Sequence, residues 1–204
     1  VLDASGSVSG KEWTQLRQFV VRVADNFTVG PTDTRFSLVS YSEGVQRTID
    51  FGTRRSISKA TFQSYVSQLT RTARTTDTPE ALIKADTMFT GQNFRPGARR
   101  IVIVATDGQP NRNTGCIANR YPREPVACTR AAAGVLKTQS KTNTEDDVVF
   151  VYLRIGNGPS KTLFKGIEDY HLSTSFLEMI RKKDTLIRAL ACPHDSSEIT
   201  TVAP

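Results

Sequence analysis

The stretch Ile101-Val102-Ile103-Val104-Ala105-Thr106-Asp107-Gly108 decides the fold of this chain. Five consecutive apolar residues, preceded by two arginines and followed by Asp-Gly, are typical of a strand that is covered on both faces. Residues 148–155 repeat this pattern, and a predicted helix over 129–138 separates the two runs. Because buried strands alternate here with helices, the pattern predicts a mainly parallel sheet.

The rest of the chain continues the alternation of strands and helices. Val1-Leu2-Asp3 has the pattern of a buried strand that is truncated at its N-terminus, because a strand needs about five residues. A helix of about 17 residues and two antiparallel strands are predicted next. Those strands cover 35–41 and 45–51. Further helices are predicted over 58–70, 160–166 and 175–191, and another helix starts with Thr78 as N-cap and Pro79 as its first helical residue. An edge strand is predicted over 170–173.

These elements predict an α/β fold with a doubly wound, mainly parallel six-stranded sheet, one antiparallel edge strand and helices on both faces. The length of 204 residues suits one domain with a sizeable core. With 38% hydrophobic and 23% charged residues, the composition excludes disordered and collagen-like classes. No window approaches the roughly 20 apolar residues of a membrane span.

Two carboxylates stand where predicted strands end. Asp3 is followed by Ala4-Ser5-Gly6-Ser7, which places two hydroxyls on the same turn, and Asp107 follows the central apolar run. In an open parallel sheet, ligands bind beyond the carboxyl ends of the strands, where the strand order reverses. Carboxylate and hydroxyl oxygens suit a hard cation such as Mg²⁺.

These residues carry a resemblance to a known family. Asp3-Ala4-Ser5-Gly6-Ser7 matches the D-x-S-x-S motif of the von Willebrand factor type A domain, called the integrin I domain when it is inserted in integrins. Thr76-Asp77-Thr78 resembles the family's threonine turn before its third helix, and Thr106-Asp107-Gly108 its T-D-G after the fourth strand. Each motif alone is commonly a turn or a cap, so the interpretation depends on their conjunction. The resemblance implies a domain over residues 1–192, a polar tail or linker over 193–204, and strand order 3-2-1-4-5-6.

The resemblance also implies a metal-ion-dependent adhesion site formed by Asp3, Ser5, Ser7, Thr76 and Asp107. In the family's open state the three hydroxyls bind the metal directly and the two carboxylates act mainly through waters. A dication with neutral ligands favours an anionic oxygen from a partner, typically a Glu or Asp side chain. The expected cofactor is therefore Mg²⁺, with Mn²⁺ or Ca²⁺ as alternatives, and the expected partner carries an acidic group.

The charge of the chain bears on its partners. It has 27 Lys plus Arg against 20 Asp plus Glu, a formal net charge of +7. Arginines in loops predicted at the metal end form a candidate partner-binding rim, which would steer acidic peptides or sulfated and uronic-acid glycans; an ordinary solvated basic surface is an equal alternative. We expect no nucleic-acid partner, because the chain has no basic run or aromatic stacking face. The rim candidates are Arg71, Arg74, Arg112, Arg120, Arg123 and Arg130.

Cysteines and one sequon bear on the compartment. Cys116 and Cys128 lie in one long predicted loop and are disulfide candidates, with a pair of free thiols as the alternative. For Cys192, the resemblance implies a partner cysteine just before the first strand, as in extracellular relatives. Asn26-Phe27-Thr28 is an N-glycosylation sequon. Together these features favour an extracellular setting.

Enzyme classes fit the sequence less well. Ser5 and Ser7 lack a nucleophile elbow, and His171 and His194 fall far from the metal end. An aspartyl-phosphate phosphatase would need a second Asp where Ser5 stands. We therefore predict a non-enzymatic module for metal-dependent adhesion or matrix assembly, within a larger secreted or surface protein. An intracellular type A scaffold module with free cysteines is the alternative.

Overall fold

A computed structural model describes residues 1–91, 93, 95, 97–116, 120–138, 148–179, 181, 184 and 187. Six strands form one sheet in the order β3-β2-β1-β4-β5-β6, in which only the β2–β3 pair is antiparallel. The predicted fold class and strand order are confirmed. The strands are β1 (Leu2–Asp3), β2 (Leu38–Tyr41), β3 (Val45–Ile49), β4 (Ile101–Thr106), β5 (Val149–Ile155) and β6 (Tyr170–Thr174).

Helices cover both faces of the sheet, as predicted. One buried cluster contains Trp13, Phe19 and Phe62 from the first face, and a second contains Leu82 and Leu136 from the other. No helix in the described part of the chain is long and apolar enough to cross a membrane. The helices are α1 (Gly10–Asp25), α2 (Lys59–Ser67), α3 (Thr78–Thr90), α4 (Pro125–Thr138) and α5 (Phe176–Glu178).

The last predicted helix and the tail are described only in part. Ser175 caps α5 and forms a capping box with Glu178, so the predicted start near 175 is present. Beyond Met179, only residues 181, 184 and 187 of the predicted helix are described. The predicted tail over 193–204, with His194, and Cys192 before it lie outside the described residues.

The start of α1 fixes the first loop. Ser9 Oγ accepts a hydrogen bond from the Glu12 N–H (3.3 Å), and the Glu12 carboxylate accepts one from the Ser9 N–H (2.8 Å). This capping box satisfies two backbone donors at the helix start. Buried Trp13 then donates from Nε1 to the Leu69 carbonyl oxygen (3.0 Å) and joins α1 to the segment after α2. Residues 4–8 are therefore held between a capped helix and β1.

The N-cap of α3 is Asp77, not Thr78 as predicted. Asp77 Oδ1 accepts a hydrogen bond from the Glu80 N–H at 3.3 Å. The Thr78 hydroxyl is instead 3.2 Å from the Tyr41 hydroxyl, so it is engaged with β2. Both residue types are good N-caps, and the tertiary contact of Thr78 leaves the cap to its neighbour.

Two other predicted helices were wrong in extent or in kind. α4 begins at Pro125 rather than near Thr129, because the Glu124 carboxylate accepts the N–H groups of Val126 (3.0 Å) and Ala127 (2.6 Å). Proline is also well suited to a first helical position. Residues 160–166 form successive turns rather than a helix, with bonds such as Leu163 N–H to the Ser160 carbonyl oxygen (3.3 Å).

The segment before β2 is not part of the strand ladder. The strand predicted over 35–41 begins only at Leu38, because the Phe36 N–H donates to the Ser56 carbonyl oxygen (3.0 Å). The partner strand ends at Ile49 rather than at 51. The predicted helix over 58–70 is likewise shorter and covers Lys59–Ser67.

The predicted disulfide between Cys116 and Cys128 is present, with a Cα–Cα distance of 6.2 Å. Cys128 lies in α4 and is fully buried, whereas Cys116 lies in the loop after β4. The bond therefore anchors the long loop to a packed helix.

Replacing both cysteines, in Cys116→Ala/Cys128→Ala, should lower the stability of the protein. The bond spans 12 residues, and closing a loop of this size stabilises a protein by about 2 to 3 kcal/mol, equivalent to roughly 5 to 10 °C in Tm. Thermal unfolding with and without reductant measures this effect. Reductant should lower the Tm of the wild type and leave that of the variant unchanged; equal Tm values for all samples would contradict the prediction.

Candidate metal centre

The candidate site lies where the strand order reverses, between β1 and β4. Leu2 pairs with Ala105 of β4 and with Ser40 of β2, so both strands end beside Asp3. Asp107 directly follows β4. The parallel register therefore brings to one edge of the sheet two carboxylates that are 104 positions apart in the sequence.

The Asp3 carboxylate is fully buried, and both of its oxygens accept hydrogen bonds. Its Oδ1 accepts the Ser5 N–H (2.9 Å) and its Oδ2 accepts the Thr106 hydroxyl (2.6 Å). The first bond shapes the turn after β1, and the second ties that turn to the end of β4. Sequence reasoning missed the role of Thr106, although the residue lies within the quoted T-D-G motif.

The hydroxyls of the first loop form a chain between the carboxylates. Ser5 Oγ and Ser7 Oγ are 3.1 Å apart, and the Ser7 hydroxyl donates to Asp107 Oδ1 at 2.6 Å. Ser5 is buried, whereas Ser7 is exposed. The site thus opens to solvent on the side of Ser7.

Thr76 reaches the same place from a third segment. It is buried, and its N–H donates to Asn111 Oδ1 (2.8 Å) while its carbonyl oxygen accepts the Asn111 N–H (3.1 Å). The Gly6 N–H donates to the Arg74 carbonyl oxygen (2.8 Å), which draws the loop of Thr76 against the first loop. Asn111 is a positioning residue that nothing in the sequence pattern identified.

Gly108 shows that these oxygens converge. A Cβ atom at this glycine would lie 3.1 Å from Ser7 Oγ, 3.6 Å from Thr76 Oγ1 and 3.8 Å from Asp3 Oδ2. Three side chains from two separate segments therefore surround one small volume that a larger residue at 108 would enter. The structure brings all five predicted residues to this edge of the sheet.

The electrostatics of the site are those of uncompensated negative charge. Burial raises the pKa of Asp3, against its hydrogen bonds. Burial also raises the pKa of Asp107 to about 6, helped by the charges of Asp3 and Glu12 and opposed by the hydrogen bond from Ser7. Within the described part of the chain, no lysine or arginine forms an ion pair with either carboxylate.

This donor set fits a hard divalent cation. The candidate ligands are two carboxylates and three hydroxyls, all oxygen, and oxygen ligands are those that Mg²⁺, Mn²⁺ and Ca²⁺ prefer. The described residues contain no group of three or more His, Cys, Asp or Glu side chains that would form a different metal site. A cation here would offset the cost of burying Asp3 and Asp107.

Asp77 stabilises the wall of the site opposite the first loop. It is fully buried, and its Oδ2 accepts the Thr114 N–H at 3.0 Å and also the Thr114 hydroxyl. Arg112 Nε lies 4.0 Å from the same oxygen. Because Asp77 also caps α3, one carboxylate fixes the Thr76 loop to the loop that follows Asp107.

Two of the six predicted rim arginines support loops instead of facing solvent. The Arg71 guanidinium donates to the carbonyl oxygens of Ser5 (3.5 Å) and Val8, which holds the first loop. Arg130 lies on α4, in agreement with the helix predicted over 129–138 and not in a loop as predicted for the rim, and it donates to the Leu163 carbonyl oxygen at 2.8 Å. Both side chains therefore bond to backbone carbonyl oxygens, and the sequence alone does not predict these contacts.

The other rim candidates are more accessible. Arg74 pairs with Glu43 (3.3 Å) at the surface, and Arg112 contacts Asp77. Arg120 lies 5.4 Å from the centre of the Tyr121 ring, and Arg123 is exposed.

Asn26 and His171 lie away from the candidate metal centre. Asn26 is half-buried at the C-cap of α1, and its side-chain amide donates to the Arg22 carbonyl oxygen (2.9 Å). The His171 ring, on β6, stacks against Tyr152 at 4.9 Å between ring centres. Burial lowers the pKa of His171.

Fold and site together define a doubly wound α/β domain with an oxygen-lined site at the point where the strand order reverses. The chain matches the family model of the von Willebrand factor type A domain over residues 1–170. It therefore belongs to the von Willebrand factor type A domain family.

Relatives and solved structures agree with this assignment. Matrilin-3 from Homo sapiens is 29% identical over 163 residues, which are 74% of this chain and 33% of that protein. Proximal thread matrix protein 1 from the mussel byssus, solved with a zinc-occupied MIDAS motif, has a TM-score of 0.71 at 23% identity and covers 94% of this chain and 46% of that one. Manganese-loaded TRAP protein of Plasmodium vivax has a TM-score of 0.67 at 18% identity and covers 88% and 68%.

The chain spans a third or less of the length of the first curated relatives. The two structural likenesses show the shared fold. The metals named for those two proteins are zinc and manganese, and both are divalent.

Asp107→Asn should separate the cost of the buried charge from the benefit of a bound metal. Because the pKa of Asp107 is raised to about 6, its ionised form destabilises the metal-free protein above that pH, by about 1 kcal/mol after discounting for solvent screening. The variant should therefore melt roughly 2 to 4 °C higher than the wild type at neutral pH in EDTA. The gap should shrink as the pH falls from about 6 towards 3.8, where the unfolded carboxyl also protonates.

Magnesium should stabilise the wild type more than Asp107→Asn. Mg²⁺ should raise the Tm of the wild type at neutral pH and have little effect on Asp107→Asn, since the variant has lost a carboxylate of the site. A variant that melts below the wild type in EDTA, or that gains as much from Mg²⁺, would contradict this account of Asp107.

Proposed function

We propose that this chain is a metal-dependent adhesion or extracellular matrix assembly module. In this proposal Asp3, Ser5, Ser7, Thr76 and Asp107 hold a divalent cation, and the cation binds an acidic group of a protein or glycan partner. The observation that supports it best is the convergence of hydroxyl and carboxylate oxygens around Gly108, at the solvent-facing edge of the sheet. No role in catalysis is proposed for these residues.

The chain's own residues determine how such a site would work. A bound dication would supply a positive centre that accepts an anionic oxygen from outside. Asp3 shapes the first loop through its bonds to Ser5 and Thr106, so Ser5 and Ser7 present their hydroxyls in a fixed arrangement. Asp107 holds Ser7 by a 2.6 Å hydrogen bond, and neutral hydroxyl ligands would leave most of the metal's charge for the partner.

The exposed arginines support the proposal that the partner is acidic. Arg74, Arg120 and Arg123 are exposed at the metal end, and Arg112 is partly exposed there. Their positive field would steer carboxylate- or sulfate-bearing molecules towards the cation. We assign Arg71 a positioning role, because its guanidinium donates to carbonyl oxygens of the first loop.

An extracellular or cell-surface location is the setting that we propose. The Cys116–Cys128 disulfide supports it, since such bonds persist in oxidising compartments and are rare in the cytosol. The same bond weighs against the alternative of an intracellular scaffold module with free thiols. We propose Mg²⁺ as the resident ion, with Mn²⁺ or Ca²⁺ as alternatives, further domains of a longer protein beside this one, and Asn26 as the glycosylation site.

Thr76→Ala should reduce metal affinity while leaving the fold intact. The variant removes one predicted ligand hydroxyl from a loop that backbone bonds to Asn111 still hold. We expect the affinity for Mg²⁺ and Mn²⁺ alone, measured by titration calorimetry, to fall at least about tenfold. Thr72→Ala is the matched control, because Thr72 is an exposed threonine of the same loop.

The binding of an acidic group is tested with immobilised poly-glutamate against poly-glutamine. Wild type and Thr72→Ala should show retention on poly-glutamate that Mg²⁺ increases and EDTA removes, and Thr76→Ala should lack this metal-dependent part. Retention that is indifferent to EDTA and to Thr76→Ala would refute the metal bridge. Unchanged metal affinity in Thr76→Ala would refute the ligand assignment itself.

A further inference from the structure

We propose that the end of the domain opposite the metal centre is a second binding surface, which takes a sulfated glycan without metal. We call this surface the basic pole. It does not depend on the proposed metal site, because it lies at the other end of the sheet. Its side chains are Arg35, Arg54, Arg55, Lys59, Arg95 and Arg99.

The position of the basic pole follows from the direction of the strands. β2 and β4 end beside Asp3, so their first residues, Leu38 and Ile101, lie at the far end. The loops that enter these strands, together with the turn between β3 and α2, carry five of the six side chains, and Lys59 is the first residue of α2.

Three segments of the basic pole are joined by direct contacts. Arg35 Nη2 and Arg95 Nη1 both donate to the Pro31 carbonyl oxygen, at 2.6 and 3.4 Å. Arg35 also donates to the Asn93 carbonyl oxygen at 3.3 Å. A Cβ at Gly52, whose φ is +80°, would lie 2.5 Å from Asn93 Oδ1, so the turn before Arg54 packs against the same segment.

Arg99 and Arg55 complete the surface. Arg99 lines the same cavity as Arg35 and Arg95. The Phe36 N–H donates to the Ser56 carbonyl oxygen, which holds the turn of Arg54 and Arg55 beside Arg35. The Arg55 guanidinium lies 4.3 Å from the centre of the Tyr65 ring.

The contacts of these side chains leave their charge uncompensated. Within the described residues, none of the six forms an ion pair with a carboxylate. Arg35 and Arg95 bond to carbonyl oxygens, and Lys59 Nζ bonds to the Asp25 carbonyl oxygen at 3.2 Å. Such bonds orient a cationic group but do not neutralise it.

The described carboxylates near the basic pole do not balance it. Asp50 pairs with Lys84 at 3.0 Å, and the Asp25 carboxylate accepts the Gln63 amide at 2.7 Å. Asp33, which lines the same cavity as Arg35, brings one opposing charge. Positive charge therefore exceeds negative charge on this surface of the described chain.

The chemistry favours a sulfated glycan over a nucleic acid. Guanidinium groups bind sulfate and carboxylate oxygens through paired N–H donors, and an array spread over several loops suits an extended chain of anions. Bases would need aromatic faces for stacking. The neighbouring rings of Phe27, Phe36 and Phe62 instead pack against one another, and Arg55 covers Tyr65.

Heparin binding in EDTA tests the basic pole without contribution from the metal centre. Arg54→Ser/Arg55→Ser removes two exposed charges from a surface turn. We expect the affinity for heparin at physiological salt to fall about tenfold or more, and the slope of log affinity against log salt to shrink by about two. Lys161→Ser/Lys165→Ser is the matched control: it removes the same charge from exposed positions after β5 and should leave the affinity near that of the wild type.

The assay uses protein that carries Asn26→Gln in every sample, so that a glycan at Asn26, which lines the cavity beside the basic pole, cannot differ between samples. Equal losses in the two double variants would overturn the proposal, since net charge alone would then explain binding. Binding that needs Mg²⁺ would assign heparin to the metal centre instead. Equal binding of desulfated heparin, or equally strong competition by duplex DNA, would overturn the choice of sulfated glycan.

Discussion

The structure at the metal end depends on the buried carboxylate of Asp3. It lies at the end of the central strand β1, and it holds two segments at once: the first loop through the Ser5 N–H and the end of β4 through the Thr106 hydroxyl. Hydrogen bonds from both sides stabilise the charge, but burial still raises the pKa of Asp3. The fold therefore places a costly anion where a cation would relieve it. The Asp3 carboxylate fixes the geometry of the first loop, and the same carboxylate makes the site favourable for a metal.

The sequence predicts the inner strands of the sheet well because they are buried on both faces. Continuous apolar runs such as residues 101–105 of β4 have few other stable environments in a protein of this size. Helix boundaries were harder to predict, because they depend on which of several polar side chains is free to cap. Thr78 and Asp77 are both good caps by type, and only the contact between Thr78 and Tyr41 decides between them. Residues 160–166 were predicted as a helix, yet they fold as turns that bury Leu163 and Phe164.

The sequence predicted the residues of the candidate site that belong to its motifs, and it did not predict the residues that position them. Asp3, Ser5, Ser7, Thr76 and Asp107 stand at strand and helix ends, where short-range pattern and the family resemblance coincide. Asn111, which aligns Thr76, lies in a long loop with no periodic pattern, and its role appears only when two distant segments meet. The arginines show the same limit. Arg71 and Arg130 look like surface charges in the sequence, but their N–H groups donate to backbone carbonyl oxygens of other segments.

The two ends of the domain use positive charge in different ways. At the metal end Glu43 and Asp77 contact arginines, so a dication would supply most of the local attraction for an acid. At the basic pole the arginines themselves carry the positive charge, held in place by carbonyl oxygens and the Tyr65 ring. The six residues of β4 span about 20 Å between the ends, more than twice the Debye length of about 8 Å at physiological ionic strength. Metal occupancy at one end therefore has little direct electrostatic effect on the other, and any coupling between the two surfaces would have to pass through the packing of the sheet and its helices.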